Sequence, residues 1–239
     1  MSMNDDRTHG SSIAGALAGA AMIGYLLPGL AGQWRGLRAP LGVEDRTASG
    51  EGYALTFDDG PHAQGTPAVL EILAREEVRA TFFLVGEQVR RNPGLAREIV
   101  AAGHEIGLHC DRHRNLLRLA PWQVREDIAR ALETIEASTE RSPLLYRPPY
   151  GVLNAAALRI AQARGWRTML WSHWGRDWEK RATPASIAAR LTDGVDEGAV
   201  LLLHDADDYS APESWARTAA ALPRVLQTLR ERDLRPMNL

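Results

Sequence analysis

The 239-residue sequence has little of what several large classes of protein require. Cys110 is the only cysteine, so the chain can form neither an intrachain disulfide nor a zinc site built from several thiolates. The formal net charge is -2, and the basic excess that marks nucleic-acid-binding proteins is missing. No glycine-rich loop follows an apolar run, which argues against a dinucleotide or P-loop site. Any metal bound here must be held by histidines and carboxylates.

Charge is also absent from one stretch near the N-terminus, residues 13–31, which is about long enough to span a bilayer. Asp5 and Asp6 precede it and suit a secretory signal poorly, while Arg35 and Arg38 follow it. We predict a membrane anchor here, with a cleaved signal and an unstructured leader as the alternatives. The basic flank favours a domain that faces the cytoplasm.

The character of the sequence changes after residue 50. Residues 32–50 contain scattered glycine, proline and arginine, which is typical of a linker. We therefore divide the chain into a hydrophobic N-terminal segment with a linker, 1–50, and one domain, 51–239, whose length suits a single domain.

Short apolar runs within this domain predict seven β-strands. They lie at 53–57, 80–85, 104–109, 144–147, 167–172, 199–204 and, more weakly, 234–239. Between them are helix-like segments at 66–77, 93–102, 121–138, 154–164, 184–193 and 215–232. Strands that alternate with helices indicate parallel βα units, and both a barrel of βα repeats and an open doubly wound sheet fit this pattern.

Polar side chains of chemical interest follow five of these runs. They are Asp58 and Asp59, His109 and His113, Arg147, Asp177, and His204. Active sites of parallel α/β folds gather at the carboxyl ends of the strands. We therefore expect these residues to meet at one rim of the fold.

Two of these segments together predict a metal site. On a helical turn, the spacing of His109 and His113 would place both imidazoles on one face, although the pair alone could also be solvated. An aspartate from the first strand would complete a set of two histidines and one carboxylate with open positions. Successive strand residues face opposite ways, so the neighbouring aspartate could take a proton from metal-bound water instead.

The remaining polar residues have a functional and a purely structural interpretation. His204 could be the general acid opposite the metal or a capping histidine, and Arg147, before two prolines, could hold a carboxylate or be a surface charge. A backbone N–H at the turn of Tyr150 could face a developing oxyanion. Asp177 could orient His204, and Trp178 could wall an apolar pocket.

Taken together, "TFDDGP", "HxxxH", "RPPYG", "DW" and "LLLH" resemble the motifs of the polysaccharide deacetylase family, the NodB-type carbohydrate esterases, over residues 52–235. The resemblance implies an α/β fold, a distorted (β/α) barrel with about seven parallel strands. It also implies a divalent metal, usually Zn²⁺. The implied reaction is hydrolysis of an N-acetyl or O-acetyl group on a glycan such as peptidoglycan or chito-oligosaccharide.

The resemblance further implies a role for each motif residue. The metal ligands would be Asp59, His109 and His113. The catalytic residues would be Asp58 as base, Arg147 orienting that base, His204 as acid, Asp177 as its partner, and Tyr150 as oxyanion donor through its N–H. The pocket for the acetyl methyl would be lined by Trp178 and Leu202. One residue departs from the family pattern, since Cys110 stands where a serine or threonine usually follows the first histidine.

Two other functions stay open at this stage. A metal-dependent amidohydrolase could act on a small non-sugar amide or imide with the same residues. A non-catalytic glycan-binding protein would lack the base or the acid, yet Asp58 and His204 are both present. An acetylated glycan as partner predicts a location at the membrane or in the cell envelope, whereas the basic flank of 13–31 leaves a cytoplasmic-facing domain possible.

Overall fold

The computed structural model describes residues 19–239, and within them eight strands form one sheet. The strands are β1 (Val43–Glu44), β2 (Tyr53–Asp58), β3 (Thr81–Val85), β4 (Glu105–Cys110), β5 (Leu145–Tyr146), β6 (Arg167–Met169), β7 (His173–Trp174) and β8 (Ala199–His204). Their order is β1-β6-β5-β4-β3-β2-β8-β7, and every neighbouring pair is parallel. The sheet curls into a part-barrel with helices around it, which confirms the predicted fold class.

Helices connect the consecutive strands from β2 to β6 and from β7 to β8, as parallel pairing requires. They are α1 (Gly65–Arg75), α2 (Gly86–Arg91), α3 (Pro93–Ala101), α4 (Pro121–Thr139), α5 (Ala155–Ala163), α6 (Pro184–Thr192) and α7 (Ser214–Glu231). Three of them, α3, α4 and α6, begin at a proline, whose fixed φ and missing N–H suit the first helical turn. Residues 19–26 are also helical.

Most predicted elements are present, with differences at the margins of the sheet. The weak strand at 234–239 is reduced to an isolated bridge between Tyr53 and Pro236. Both edge strands, β1 and β7, are two residues long and were not predicted. A strand this short has no readable periodicity and exists only through its pairing with a distant segment.

The alternation of side chains along β2 separates two packed regions. Tyr53, Leu55 and Phe57 point outward into the main core beneath the helices. Ala54 belongs to a smaller cluster on the other face of the sheet, together with Phe83 and three further apolar residues. The inner face of the strand is therefore the one that leads to polar side chains at its carboxyl end.

The N-terminal part of the described chain packs on this sheet. The stretch 32–50, expected to be a linker, contains β1, which pairs with β6, and the buried Arg38, which donates to the carbonyl of Ala31 at 3.0 Å. Of the predicted anchor at 13–31, residues 13–18 lie outside the described residues. Among the helices that the structure describes, none is both long enough and apolar enough to cross a membrane.

The close approach of β3 and β4 can be tested at Gly107, which pairs with Phe83. A Cβ at position 107 would lie 2.5 Å from Cε1 of that ring, so Gly107→Ala should lower the free energy of unfolding by about 1–3 kcal/mol. Gly94→Ala is the control, because nothing lies within 4 Å of its Cβ position and a helical alanine gains roughly 0.5–1 kcal/mol. Equal urea midpoints for the two variants would contradict this packing.

Candidate active site

A cavity of about 240 Å³ lies at the carboxyl ends of β2, β4 and β8. Most of the residues predicted from the sequence line it: Asp58, Asp59, His109, His113, Tyr150, Trp178, Leu202 and His204. The other two predicted residues lie directly behind the wall, where Arg147 binds Asp58 and Asp177 binds His204. The structure thus brings all the predicted site residues together at one rim.

The two adjacent aspartates face the same cavity, which corrects the expectation that they point apart. Asp58 is the last residue of β2, and Asp59 already lies beyond the strand with a φ of 80°. Aspartate tolerates this left-handed conformation better than most residues. Because Asp59 has left the pleated strand, side-chain alternation no longer applies to it.

The two histidines do not share a helical face, and that part of the prediction is wrong. His109 belongs to β4, which stays paired with β3 as far as Cys110, and His113 lies in the loop that follows. The loop turns back so that both Nε2 atoms approach Oδ1 of Asp59, at 3.5 Å for His109 and 3.4 Å for His113.

These three side chains fit a divalent cation. Their potential ligand atoms all lie within 4.8 Å of one another. The Nδ1–H of His109 donates to the carbonyl of Arg147 at 2.7 Å, so in the neutral imidazole the lone pair is on Nε2, the nitrogen that points towards Asp59. Oδ1 of Asp59 is buried and has no hydrogen-bond partner among the described residues. A buried carboxylate oxygen without a donor, between two imidazole nitrogens, is a site that a cation would complete.

The protonation states of this group also suit metal binding. Burial raises the pKa of Asp59, but the surrounding imidazoles, His109 first, outweigh it and hold that pKa well below its usual range. Burial lowers the pKa of His113 to about 4, against the opposing charge of Asp59. At neutral pH the site therefore presents a carboxylate and an unprotonated imidazole, the forms that bind metals.

Arg147 is fully buried and compensates the charge of Asp58. Its Nη1 donates to Oδ1 of Asp58 at 2.7 Å and to Oγ1 of Thr56 at 2.8 Å. Its remaining donors reach the carbonyls of Met169 at 3.2 Å and Leu170 at 3.0 Å. Oδ2 of Asp58 takes no part in these bonds and remains on the cavity side, 3.9 Å from Nε2 of His109.

Asp177 holds His204, the last residue of β8, which pairs with Asp58 at the end of β2. Its Nδ1 lies 2.9 Å from Oδ1 of Asp177, whose Oδ2 accepts from the His204 N–H at 2.7 Å and from Thr218 at 2.8 Å. Burial lowers the pKa of His204, but Asp177, with smaller contributions from Asp59 and Asp58, raises it to about 10. The imidazole therefore carries a proton at neutral pH.

Several aromatic residues of the cavity were not predicted. Trp171 and Trp174 continue the wall that Trp178 begins, with ring centroids 5.9 and 5.4 Å apart. Tyr209 stacks on His113 at 4.6 Å, while Tyr150 contacts the same ring edge-on at 4.4 Å. The three tryptophans stand close together in "WSHWGRDW", and this cluster is the sequence signal from which the aromatic wall could have been predicted.

The departure at Cys110 does not alter the charge of the site. The thiol is buried, and burial, with Asp127 next in effect, raises its pKa well above the usual range. It therefore stays protonated. Among the described residues, Cys110 belongs neither to the group of Asp59, His109 and His113 nor to a second, more exposed group of potential ligands, His62, Asp207 and Asp208.

Comparison with known proteins agrees with this geometry. The family model for polysaccharide deacetylase matches residues 45–169. A peptidoglycan-N-acetylglucosamine deacetylase of Bacillus cereus is 35% identical over 184 residues, which cover 76% of this chain and 83% of the relative. A chitooligosaccharide deacetylase of Bradyrhizobium is 33% identical over 185 residues, covering 74% of this chain and 84% of the relative.

Among solved structures, the Bc1960 peptidoglycan N-acetylglucosamine deacetylase superposes with a TM-score of 0.76 at 28% identity, over 82% of this chain and 90% of that one. Sequence identity, shared architecture and a family match over more than half of the chain agree with one another. The chain belongs to the polysaccharide deacetylase family.

Proposed function

We propose that this protein is a metal-dependent deacetylase that hydrolyses N-acetyl groups on a glycan containing N-acetylglucosamine. One arrangement carries the proposal: Asp59, His109 and His113 form a cation site, and beside it lie Asp58, which is paired with Arg147, and a protonated His204. The relatives named as peptidoglycan and chitooligosaccharide deacetylases support this substrate class.

The proposed metal is Zn²⁺, since two imidazole nitrogens and one carboxylate with open positions form a donor set typical of catalytic zinc. When bound, such an ion would polarise a carbonyl, and it would lower the pKa of a coordinated water to about 7, so that the water is more easily deprotonated at neutral pH. The chain supplies the ligands in the required protonation states, and the Nδ1–H bond to the Arg147 carbonyl orients the ring of His109.

Asp58 is proposed as the general base. Arg147 occupies its Oδ1 and fixes the carboxylate, which leaves Oδ2 free to accept a proton from the attacking water. The backbone N–H of Tyr150 is proposed to donate to the oxygen of the acetyl carbonyl as negative charge develops there. Tyr150 lies in a tight turn with a φ of 59°, beside the imidazole of His113.

His204 is proposed as the general acid that protonates the leaving amine. Asp177 accepts at Nδ1, so the proton available for transfer is on Nε2, which lies 4.0 Å from Oδ2 of Asp59. Trp178 and Leu202 would receive the methyl of the acetyl group, because both line the cavity beside His204.

An envelope location follows from the proposed substrate, because peptidoglycan is a polymer of the cell wall. Membrane association through 13–31 stays a prediction. A glycan is favoured over a small non-sugar amide because the cavity continues into a larger groove, with which it shares Tyr150, Trp171 and Trp174.

Metal removal gives the first test. Chelation should abolish acetate release from acetylated chito-oligosaccharide or peptidoglycan fragments, and Zn²⁺ should restore it. Asp59→Asn should lose the bound metal, as measured by elemental analysis of the purified protein. Asp196→Asn removes an exposed carboxylate that lies outside this cavity and in neither group of potential metal ligands, and this variant should keep the metal. A full equivalent of zinc in Asp59→Asn would contradict the ligand assignment.

The role of Asp58 predicts a different phenotype. Asp58→Asn should lower kcat by about 10²- to 10⁴-fold, because the amide cannot take the proton, whereas the metal content should stay unchanged. The amide oxygen can still accept from Arg147, but the buried guanidinium loses its counter-charge, so circular dichroism must show that the variant is folded before kcat is compared. Wild-type turnover with wild-type metal content would refute the assignment.

The role of Asp177 is measurable on the imidazole itself. In the metal-free protein, Asp177→Asn should lower the pKa of His204 from about 10, because burial is then opposed only by the smaller contributions of Asp59 and Asp58. Titration of the His204 signals by NMR would measure this shift. Asp196→Asn removes an exposed carboxylate elsewhere and should leave the titration unchanged. An unshifted pKa in Asp177→Asn would overturn the pairing.

A further inference from the structure

A second cavity of about 490 Å³ adjoins the candidate active site. It shares Tyr150, Trp171 and Trp174 with the first, so the two cavities lie side by side, and we refer to them together as the cleft. We call it the N-terminal groove, because its other wall comes from residues 29–38. Those residues precede the part of the chain, 45–169, that matches the family model.

The wall of the N-terminal groove is fixed against the catalytic turn. A Cβ at Gly32 would lie 2.6 Å from the carbonyl oxygen of Gly151, so the segment contacts the backbone next to Tyr150. Arg38, which is buried, donates to the carbonyls of Gly32 at 3.2 Å and Trp171 at 3.2 Å. This wall is therefore a built part of the cleft.

The lining of the N-terminal groove suits a sugar. Trp174 is 38% exposed and offers an aromatic face, and Gln33 on the opposite wall is exposed and carries an amide donor and acceptor. An aromatic surface with a few polar groups is the composition of a site for an amphipathic small ligand, such as a sugar ring.

Among the described residues, the charged side chains that line the N-terminal groove are all positive. Arg35 and Arg38 both line it, and both pair with the same carboxylate, Asp45, at 2.7 and 2.5 Å. Within residues 19–239, no carboxylate lines the groove. Two guanidinium groups thus share one negative charge, and the side chain of Arg35 remains 55% exposed. A bound carboxylate would complete this arrangement.

We propose that the N-terminal groove binds the sugar next to the one being deacetylated, and that Arg35 recognises a carboxylate carried by that sugar. The inference rests on the proposed deacetylase function and specifies its substrate as an acidic glycan. In peptidoglycan every second sugar has a lactyl substituent, which ends in a carboxylate or bears a peptide with carboxylates of its own. Chito-oligosaccharide is neutral and lacks this group.

The experiment compares three peptidoglycan tetrasaccharides: one without peptides and with free lactyl carboxylates, the same compound with those carboxylates converted to methylamides, and one with its peptides attached. Acetate release gives kcat and KM for the zinc-loaded wild type and for each variant. The free and amidated compounds differ in charge but hardly in shape, so their ratio isolates recognition of the carboxylate.

The wild type should prefer the free carboxylate over the amide. Arg35→Ala should lower kcat/KM for the free compound by about 3- to 10-fold, mainly through KM, and leave the amide within about twofold. Arg35→Lys should retain part of the preference. The control is Arg230→Ala, since Arg230 is also 55% exposed and pairs with Glu76 at 2.8 Å, but lies on α7 and does not line the groove. It should behave as the wild type.

Each outcome decides between defined possibilities. A loss confined to the free lactyl compound supports the proposal and assigns the carboxylate to the sugar, and a loss confined to the peptide-bearing compound supports it and assigns the carboxylate to the peptide. Equal losses on all three, or none, would overturn it. If the wild type releases acetate neither from any of these three compounds nor from chitotetraose, the proposed function itself fails.

Discussion

The buried ion pair between Arg147 and Asp58 is the interaction on which the rest of the site depends. The guanidinium joins the ends of β2 and β6, because it donates both to Asp58 and to the carbonyl of Met169. A buried pair gives little net stability, but removing one partner leaves an uncompensated charge and costs about 3–5 kcal/mol. Its contribution is orientation: the carboxyl group of Asp58 is held in one position by Arg147, with Oδ2 outside this hydrogen bond.

This pair also explains why two aspartates can be adjacent in a buried cavity. Asp58 has its cation within the protein, whereas Asp59 is surrounded by imidazoles and keeps one oxygen without a hydrogen-bond donor among the described residues. The backbone of Arg147 also orients His109, since its carbonyl accepts the Nδ1–H of that imidazole and turns Nε2 towards Asp59. One arginine thus fixes the proposed base and one proposed metal ligand together.

Residues 29–38 meet the rest of the cleft at the turn that carries Tyr150. Arg38 binds the carbonyl of Trp171, and Gly32 contacts the turn that carries Tyr150, so residues outside the family match contribute to the proposed active-site cleft. The chemistry is arranged at the strand ends, while the breadth of the cleft depends on a segment joined to the sheet by β1. The residues proposed for the reaction and those proposed for substrate selection therefore come from different parts of the chain.

The sequence by itself determined the parallel α/β architecture, because alternating apolar runs and helix signals are local patterns with periods of two and 3.6 residues. It also identified Asp58, Asp59 and His204, since polar groups after buried runs must gather at one edge. Only the tertiary structure decided that Asp59 adopts a left-handed conformation and that His113 returns from a loop rather than a helix. It alone revealed β1, whose Glu44 pairs with Met169. These features come from contacts between segments far apart in the chain, which local periodicity does not record.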